Sequence, residues 1–177
     1  VLLLDIDHLL SKICFIDRKH RYNLIDSNFN QGEYTMEYET FSPVFNMFCL
    51  TTAVFLLVTL LRLKSIYIDK ASPGEDYRHP TFSQGNRILL NAQRNLINLF
   101  EFPIFFYATI GIIVVTNNID QTFVDLACYF FYFRLAHSIY HIFGNHLILG
   151  GLPVRAPLFL GAFLINAYMI IRLCGML

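Results

Sequence analysis

The sequence of 177 residues has no tryptophan, few charged side chains and no excess of either charge. Charged residues make up 15% of the chain, against about one quarter in a typical soluble protein. The 13 basic and 13 acidic residues balance, so no basic surface for nucleic acid is predicted. The cysteines show neither metal-ligand spacing nor a disulfide framework: Cys14, Cys49, Cys128 and Cys174. These shortages disfavour a soluble, nucleic-acid-binding or disulfide-stabilised protein.

Apolar residues are abundant instead, since 55% of the chain is hydrophobic and the mean hydropathy is +0.49. Four long apolar runs predict four helices, each long enough to cross the roughly 30 Å hydrocarbon core of a bilayer. The predicted helices cover about 43–63, 86–116, 122–143 and 154–174. A single soluble helical domain with a large core is the alternative, and four separate runs argue against it. The predicted fold class is therefore an all-α membrane protein, a bundle of four transmembrane helices.

Residues 1–35 are predicted to form a weakly structured extension, and residues 36–177 the membrane domain. The first apolar patch is short, is broken by polar residues, and lacks the basic start and cleavage site of a signal peptide. Met36 precedes a short polar lead into the first helix, so one hypothesis places the natural start there. Peptides from residues 1–35, found by mass spectrometry of the native protein, would contradict it. Pro43 suits the opening turn of the first helix.

A stripe of polar side chains runs along the second predicted helix. Five residues at helical spacing fall within roughly 80° of one another. This Arg94 stripe consists of Arg87, Asn91, Arg94, Asn98 and Glu101. A charged group near mid-bilayer costs about 2.5–3.5 kcal/mol on insertion scales, so such groups normally face a protein interior and have partners. We interpret the stripe as one wall of a binding site between helices, and Pro103, farther along, is expected to kink this helix.

The third predicted helix carries a second polar stripe within about a 100° arc. This Arg134 stripe consists of Arg134, His137, Ser138, His141 and Asn145. The two histidines could hold a metal ion, but no third ligand with a supporting pattern is evident, so no metal site is predicted. A hydrogen bond between helices is the simpler expectation. Residues 144–153 are predicted to be a Gly/Pro-rich loop, and Gly111 and Gly161 to allow close helix approach.

Positive residues set the predicted orientation. Six of them lie in or beside the loop between the first and second helices: Arg62, Lys64, Lys70, Arg78, Arg87 and Arg94. The turn between the second and third helices carries none. The positive-inside rule therefore places the first loop and the loop between the third and fourth helices in the cytoplasm, and both chain ends on the opposite side. Arg155 then lies on the same membrane face as Arg87 and Arg94.

Basic groups, amides and a carboxylate are thus expected to converge near the cytoplasmic ends of the last three helices. Arginine binds carboxylates in bidentate fashion, asparagine bonds peptide amides, and glutamate receives an ammonium group. The set suits a small zwitterionic ligand with several carboxylates and amide bonds, and the tripeptide glutathione fits that description. An arginine near its sulfur could stabilise the thiolate and so activate the nucleophile.

Three segments resemble the MAPEG family, the membrane-associated proteins in eicosanoid and glutathione metabolism. The pattern Arg94-x-x-x-Asn98-x-x-Glu101, followed by Pro103, looks like the helix 2 signature of that family. FRLAHSIYHI resembles its Arg-x-x-His segment in helix 3, and VRAPL resembles the segment that opens helix 4. The resemblance covers about residues 43–173, and the run NLFEFPIFFYA is similar to the bacterial branch of the family.

The resemblance implies a homotrimer in the lipid bilayer of a bacterial inner membrane, with glutathione as co-substrate between adjacent subunits and a lipophilic small molecule as second ligand. Arg155 matches the arginine that stabilises the thiolate and is the predicted catalytic residue. The candidate glutathione-binding residues are Arg87, Asn91, Arg94, Asn98, Glu101, Arg134, His137, Tyr140 and His141. His141 stands where eukaryotic members often have a tyrosine, with Tyr140 beside it, so the identity of the thiolate-activating group stays open.

The leading hypothesis is a glutathione-binding membrane protein that conjugates glutathione to a lipophilic electrophile or reduces a hydroperoxide with it. Whether the protein is an enzyme is left open. One alternative is a non-catalytic membrane protein that retains the fold for assembly or ligand sensing. Another is a small transporter or proton relay that uses Glu101, Arg134 and His137. Glu101 could also simply pair with Arg94 or Arg134 to hold the bundle together.

Overall fold

The computed structural model describes the backbone of residues 31–70, 86–144, 148–149 and 152–177. Within these ranges the chain forms five helices: α1 (Gln31–Tyr67), α2 (Arg87–Glu101), α3 (Pro103–Val115), α4 (Gln121–Phe143) and α5 (Arg155–Cys174). Two short strands, β1 (Ile148–Leu149) and β2 (Leu152–Pro153), precede α5. The predicted all-α fold is confirmed, and the second predicted helix consists of α2 and α3. Residues 1–30 and most of the first loop lie outside the described residues.

Helix α1 is longer than the predicted range of 43–63, because it extends from Gln31 to Tyr67. Pro43 therefore lies inside the helix and not in its first turn, so that prediction was wrong. At the other end, Arg62 and Lys64 were expected to end the helix. Basic residues mark a membrane boundary, but they are good helix formers and do not stop a helix. The helix ends where the N–H groups of residues 68 and 69 both bond the Lys64 carbonyl.

The expected kink at Pro103 is confirmed, and it divides the predicted helix 86–116 into two. Pro103 is the first residue of α3, and proline has no N–H to continue the hydrogen-bond ladder of α2. The bond from the Phe102 N–H to the Asn98 carbonyl is stretched to 3.4 Å. At its start, α2 is capped by Asn86, whose side chain accepts from the N–H of Ile88 at 3.0 Å. The kink therefore weakens the backbone ladder at one carbonyl in the middle of the span.

Helix α4 packs most extensively against α5, and it also contacts α1 and α2. The aromatic core lies between α3 and α4, where the rings of Phe106 and Phe130 stack at 4.1 Å. At Gly161 an added Cβ would meet the ring of Phe133, so the predicted close helix approach is confirmed there. At Gly111 no atom of the described chain lies within 4 Å of such a Cβ, so that expectation was wrong within one chain.

Part of the predicted loop 144–153 is a small hairpin. Strands β1 and β2 pair antiparallel, with Ile148 opposite Pro153 and Leu149 opposite Leu152. The sequence places Gly150-Gly151 between the two pairs, and a Gly-Gly pair is typical of a tight hairpin connection. The sequence predicts only a loop here, because the apolar runs on either side of the glycines are two or three residues long. The hairpin leads directly into α5.

The outer surface of the bundle is apolar. Large hydrophobic side chains are strongly exposed along every helix, for example Phe45, Leu60, Phe105, Leu164 and Ile171. Three spans are long and apolar enough to cross a membrane: Glu39–Tyr67, Arg87–Val115 and Arg155–Cys174. Helix α4 is not among them because its Arg134 stripe lowers its hydropathy, but its 23 residues reach about 34 Å, enough to cross the hydrocarbon core. The surface is that of an integral membrane protein.

Asp120 ties the start of α4 to the end of α5. Its Oδ1 accepts from the Phe123 N–H at 2.9 Å and from Arg172 Nη1 at 2.9 Å, and the Arg172 guanidinium lies 4.7 Å from the Phe123 ring. Burial raises the pKa of the Asp120 carboxyl, but the hydrogen bonds from Arg172 and Phe123 outweigh it and hold the pKa below its ordinary value. The pair joins α4 and α5 at the end remote from Arg155.

Candidate functional site

The centre of the site is Arg134, whose side chain is completely buried. Its Nη2 donates to the Asn98 carbonyl at 3.0 Å, the same carbonyl that the kink leaves with a stretched backbone bond. The guanidinium carbon lies 5.6 Å from the ring centres of both Phe102 and Phe159, in range for cation–π attraction. Its Nε and Nη1 have no hydrogen-bond partner among the described residues. Arg134 is therefore buried with two guanidinium nitrogens that bond no described residue.

One turn farther along α4, two buried histidines meet the start of α5. His137 Nδ1 lies 3.0 Å from the backbone oxygen of Arg155. Nη1 of the Arg155 guanidinium lies 3.2 Å from His141 Nε2. Both histidines are only 3% exposed. We refer to these three residues as the histidine–arginine cluster, and it satisfies the expectation that the histidines bond between helices.

The Arg134 stripe faces the interior of the chain, as its cost in lipid predicts. Its four described members, Arg134, His137, Ser138 and His141, are all buried, and Asn145 lies outside the described residues. The Nδ2 of Asn91 donates to the Ile142 carbonyl at 3.2 Å, which ties α2 to the same face of α4. This interior is built from α2, α4 and α5.

The Arg94 stripe is divided between interior and surface. Asn91 is buried and Asn98 is half-buried, whereas Arg87, Arg94 and Glu101 are exposed. Within the described part of the chain Glu101 forms no ion pair, so the alternative in which it pairs with Arg94 or Arg134 to hold the bundle together is not seen. The chain therefore brings one edge of this stripe to the Arg134 stripe and leaves the other edge uncovered.

The uncovered edge runs from the start of a candidate membrane span to its centre. Glu101 stands at the midpoint of the candidate span Arg87–Val115, with Arg94 two turns before it. A carboxylate or guanidinium facing hydrocarbon at that depth costs about 2.5–3.5 kcal/mol. An exposed charge of this kind therefore calls for a cover that a single chain does not supply.

Several residues of the site were not found from the sequence. The rings of Phe102 and Phe159 enclose Arg134, but an aromatic side chain on a membrane helix can equally face lipid, so the sequence carries no signal for them. Gln93 bonds Arg62 of α1 at 2.8 Å, and it lies outside the arc of the Arg94 stripe. Of the neighbours Tyr140 and His141, the tyrosine is 38% exposed and the histidine faces the cluster.

A shallow groove between α1 and α4 adds an apolar surface beside the site. Its lining is apolar except for one hydroxyl: Leu50, Ala53, Val54, Leu57, Ser138, Ile139, Ile142 and Phe143. The Ser138 Oγ is buried and has no hydrogen-bond partner among the residues described. In the same part of the chain, no three His, Cys, Asp or Glu side chains are grouped so as to hold a metal ion.

These features define a polytopic α-helical membrane protein with a buried arginine and two histidines in its interior. The model of the MAPEG family matches residues 41–175, which is most of the chain, so the chain belongs to the MAPEG family. Comparisons with curated proteins and with solved structures give no match. Membership makes this an integral membrane protein of a family associated with glutathione.

Proposed function

We propose that this protein binds glutathione at the Arg94 stripe, at the boundary between subunits of a homotrimer. One observation carries the proposal: Glu101 is exposed at the midpoint of a candidate membrane span, Arg94 is exposed two turns nearer the start of that span, and neither has an ion-pair partner in the described chain. Two opposite charges at that depth need both a protein cover and polar partners. A neighbouring subunit supplies the first, and a zwitterionic ligand the second.

The residues present fit glutathione in charge and in hydrogen-bonding type. Arg94 would receive a carboxylate, Asn98 a peptide amide and Glu101 the ammonium group. Arg134 adds two buried nitrogens, Nε and Nη1, without partners among the described residues, and their N–H groups suit a carbonyl or carboxylate oxygen. The family's association with glutathione supports the same ligand.

The proposed reaction is attack by the glutathione thiolate on a lipophilic electrophile, or reduction of a lipophilic hydroperoxide. Arg155 would stabilise the thiolate, because a nearby guanidinium favours the ionised sulfur. The apolar outer surface and the groove between α1 and α4 suit a lipophilic second ligand that arrives from the bilayer. The site would open to the cytoplasm of a bacterial cell, with the chain in the inner membrane and both ends on the opposite side.

A second candidate function is glutathione binding without turnover. The contact between the Arg155 guanidinium and His141 favours it, because that guanidinium already has a partner inside the chain. Turnover of an electrophile with glutathione separates the two candidates.

Calorimetry on the detergent-solubilised trimer tests the proposal. Arg94→Ala and Glu101→Ala should each weaken glutathione binding by about tenfold to a hundredfold, the size of one lost charge-assisted hydrogen bond. Lys64→Ala is the matched control, since it removes an exposed charge from α1 away from the stripe. Native mass spectrometry of the same samples reports whether the subunits form a trimer. A folded trimer that binds no glutathione at millimolar concentration would refute the proposal.

A further inference from the structure

Arg155 makes two different contacts with the histidines of α4. Its backbone oxygen meets His137 Nδ1, and its side chain meets His141 Nε2, at 3.0 Å and 3.2 Å. The two imidazole rings lie one helical turn apart, with ring centres separated by 5.5 Å. The first contact holds the start of α5, and the second holds the guanidinium.

The chemistry of the partners decides where the histidine protons lie. A backbone carbonyl only accepts, so His137 donates from Nδ1. A guanidinium only donates and keeps its charge, so His141 Nε2 accepts with its lone pair. His141 is therefore neutral in this arrangement, with its proton on Nδ1. His137 makes its bond in either charge state, but His141 makes its bond in only one.

We infer that His141 is a positioning residue that orients the Arg155 guanidinium, and that it does so only while it is neutral. The inference rests on the proposed function in one respect, namely that Arg155 stabilises the glutathione thiolate. Protonating His141 replaces the acceptor at Nε2 by a donor and places two cations in contact. The guanidinium then loses its contact with Nε2 of His141 and is repelled by the ring.

The charged groups around His141 also favour its neutral form. From α5 it faces Arg155, from α2 it feels the charge of Arg94, and on its own helix it neighbours His137. Each of the arginines is a permanent cation, and His137 can become one. These cations oppose the protonation of His141, so the cluster favours the neutral form that accepts from Arg155.

The position also accounts for the departure from the tyrosine common in eukaryotic members. A tyrosine hydroxyl can donate a hydrogen bond to a thiolate directly, whereas His141 spends its Nε2 lone pair on an arginine. In this chain Arg155 would thus stabilise the thiolate, and His141 would hold Arg155 in position. Acid would switch off this arrangement through a second proton, separate from the one that the thiol itself takes up.

The thiolate absorbance of bound glutathione, followed against pH, tests the inference. His141→Gln keeps an acceptor that cannot be protonated, and His141→Leu removes it. At neutral pH the Gln variant should match the wild type, while the Leu variant should show about tenfold less thiolate, the effect of one pKa unit on the bound thiol. In acid strong enough to protonate His141, the wild type should lose more thiolate than the Gln variant, which has no imidazole to protonate. Tyr129→Phe, at an exposed position of α4, is the control.

The possible failures can be told apart. If calorimetry on these samples shows no glutathione binding by the wild type, the proposed function fails and this inference with it. If the wild type binds but the Leu variant keeps wild-type thiolate, or the Gln variant loses as much thiolate in acid as the wild type, only the role of His141 is overturned. Nitrogen NMR of histidine-labelled protein without glutathione gives an independent reading. It should show neutral His141 with its proton on Nδ1, and a proton on Nε2 would refute the inference.

Discussion

The two polar stripes of this protein are both built around arginine but meet opposite environments. The four described members of the Arg134 stripe lie inside the chain, where backbone carbonyls, aromatic rings and Arg155 surround them. The Arg94 stripe lies half inside, and its charged edge is exposed from the start of the candidate span to Glu101 at its midpoint. The difference teaches that one chain can complete the first environment but not the second. The cost of placing polar groups in hydrocarbon thus explains why the stripe of α4 faces its own chain, and it predicts that the exposed edge of α2 faces a partner outside the chain.

Matched alanine substitutions in the two stripes should give the largest contrast. Arg134→Ala removes a fully buried side chain between two rings, and we expect a loss of about 2–5 kcal/mol in the free energy of unfolding. Arg94→Ala should change the free energy of unfolding of a dissociated subunit by about 0.5 kcal/mol or less. Thermal unfolding in a detergent that separates the subunits measures both. Equal losses would mean that Arg94 is packed within its own subunit and would break the comparison.

Arg134→Met refines this experiment, because it keeps most of the volume and removes the charge. Replacing a buried charged group by an apolar one of similar size is often neutral or stabilising. We therefore expect the Met variant to recover most of the stability that the Ala variant loses. A Met variant as unstable as the Ala variant would show that the bond to the Asn98 carbonyl dominates.

The two glycines give a contrast of intermediate size. In Gly161→Ala the new Cβ overlaps the ring of Phe133, so we expect a loss of about 1–3 kcal/mol from overpacking. In Gly111→Ala the Cβ meets no atom of the described chain, and alanine favours a helix by about 1 kcal/mol over glycine. Unfolding of dissociated subunits should therefore show the first variant destabilised and the second unchanged or improved. A loss of trimer in Gly111→Ala alone would place that face at a subunit boundary.

The smallest expected effect concerns Asp120 and the end of the bundle remote from both stripes. Its pKa is lower in the folded chain, so its contribution is present above the unfolded pKa and is lost as pH falls through the folded pKa. Asp120→Asn should therefore lower the melting temperature slightly at neutral pH and not at all in strong acid. Because asparagine can also cap α4, a gap between the two proteins that persists in acid would mean that the charge of Asp120 is not the source of the difference.

The sequence predicts the helix bounds well where a capping residue or a glycine stands at each end of an apolar run. The range 122–143 differs by one residue from α4, because Asp120 caps the helix and Gly144 follows it. Helix α1 was predicted too short because charged residues and a proline were taken as its ends, although neither stops a helix that has packed neighbours. The kink at Pro103 follows directly from proline chemistry.

The candidate site was predicted in its composition but not in its arrangement. An 80° arc spans the edge of a buried helix face, and helical spacing alone does not tell which side of the arc faces inward. Asn91 lies toward the interior side and Glu101 toward the surface side. The role of Phe159 depends on how α5 packs across α4, which no local pattern encodes. The contacts of Arg155 likewise need two helices to be placed together.

The separation along the chain between the histidines and Arg155 has a consequence for biogenesis. His137 and His141 leave the ribosome 18 and 14 residues before the arginine that they contact. During synthesis α4 therefore exists for a time with its polar stripe complete and its α5 partners not yet made. The strand pair between the two helices turns the chain back, so α5 lies beside α4 in the finished fold. The nascent chain thus carries the partners of its most polar helix in the segment that follows it.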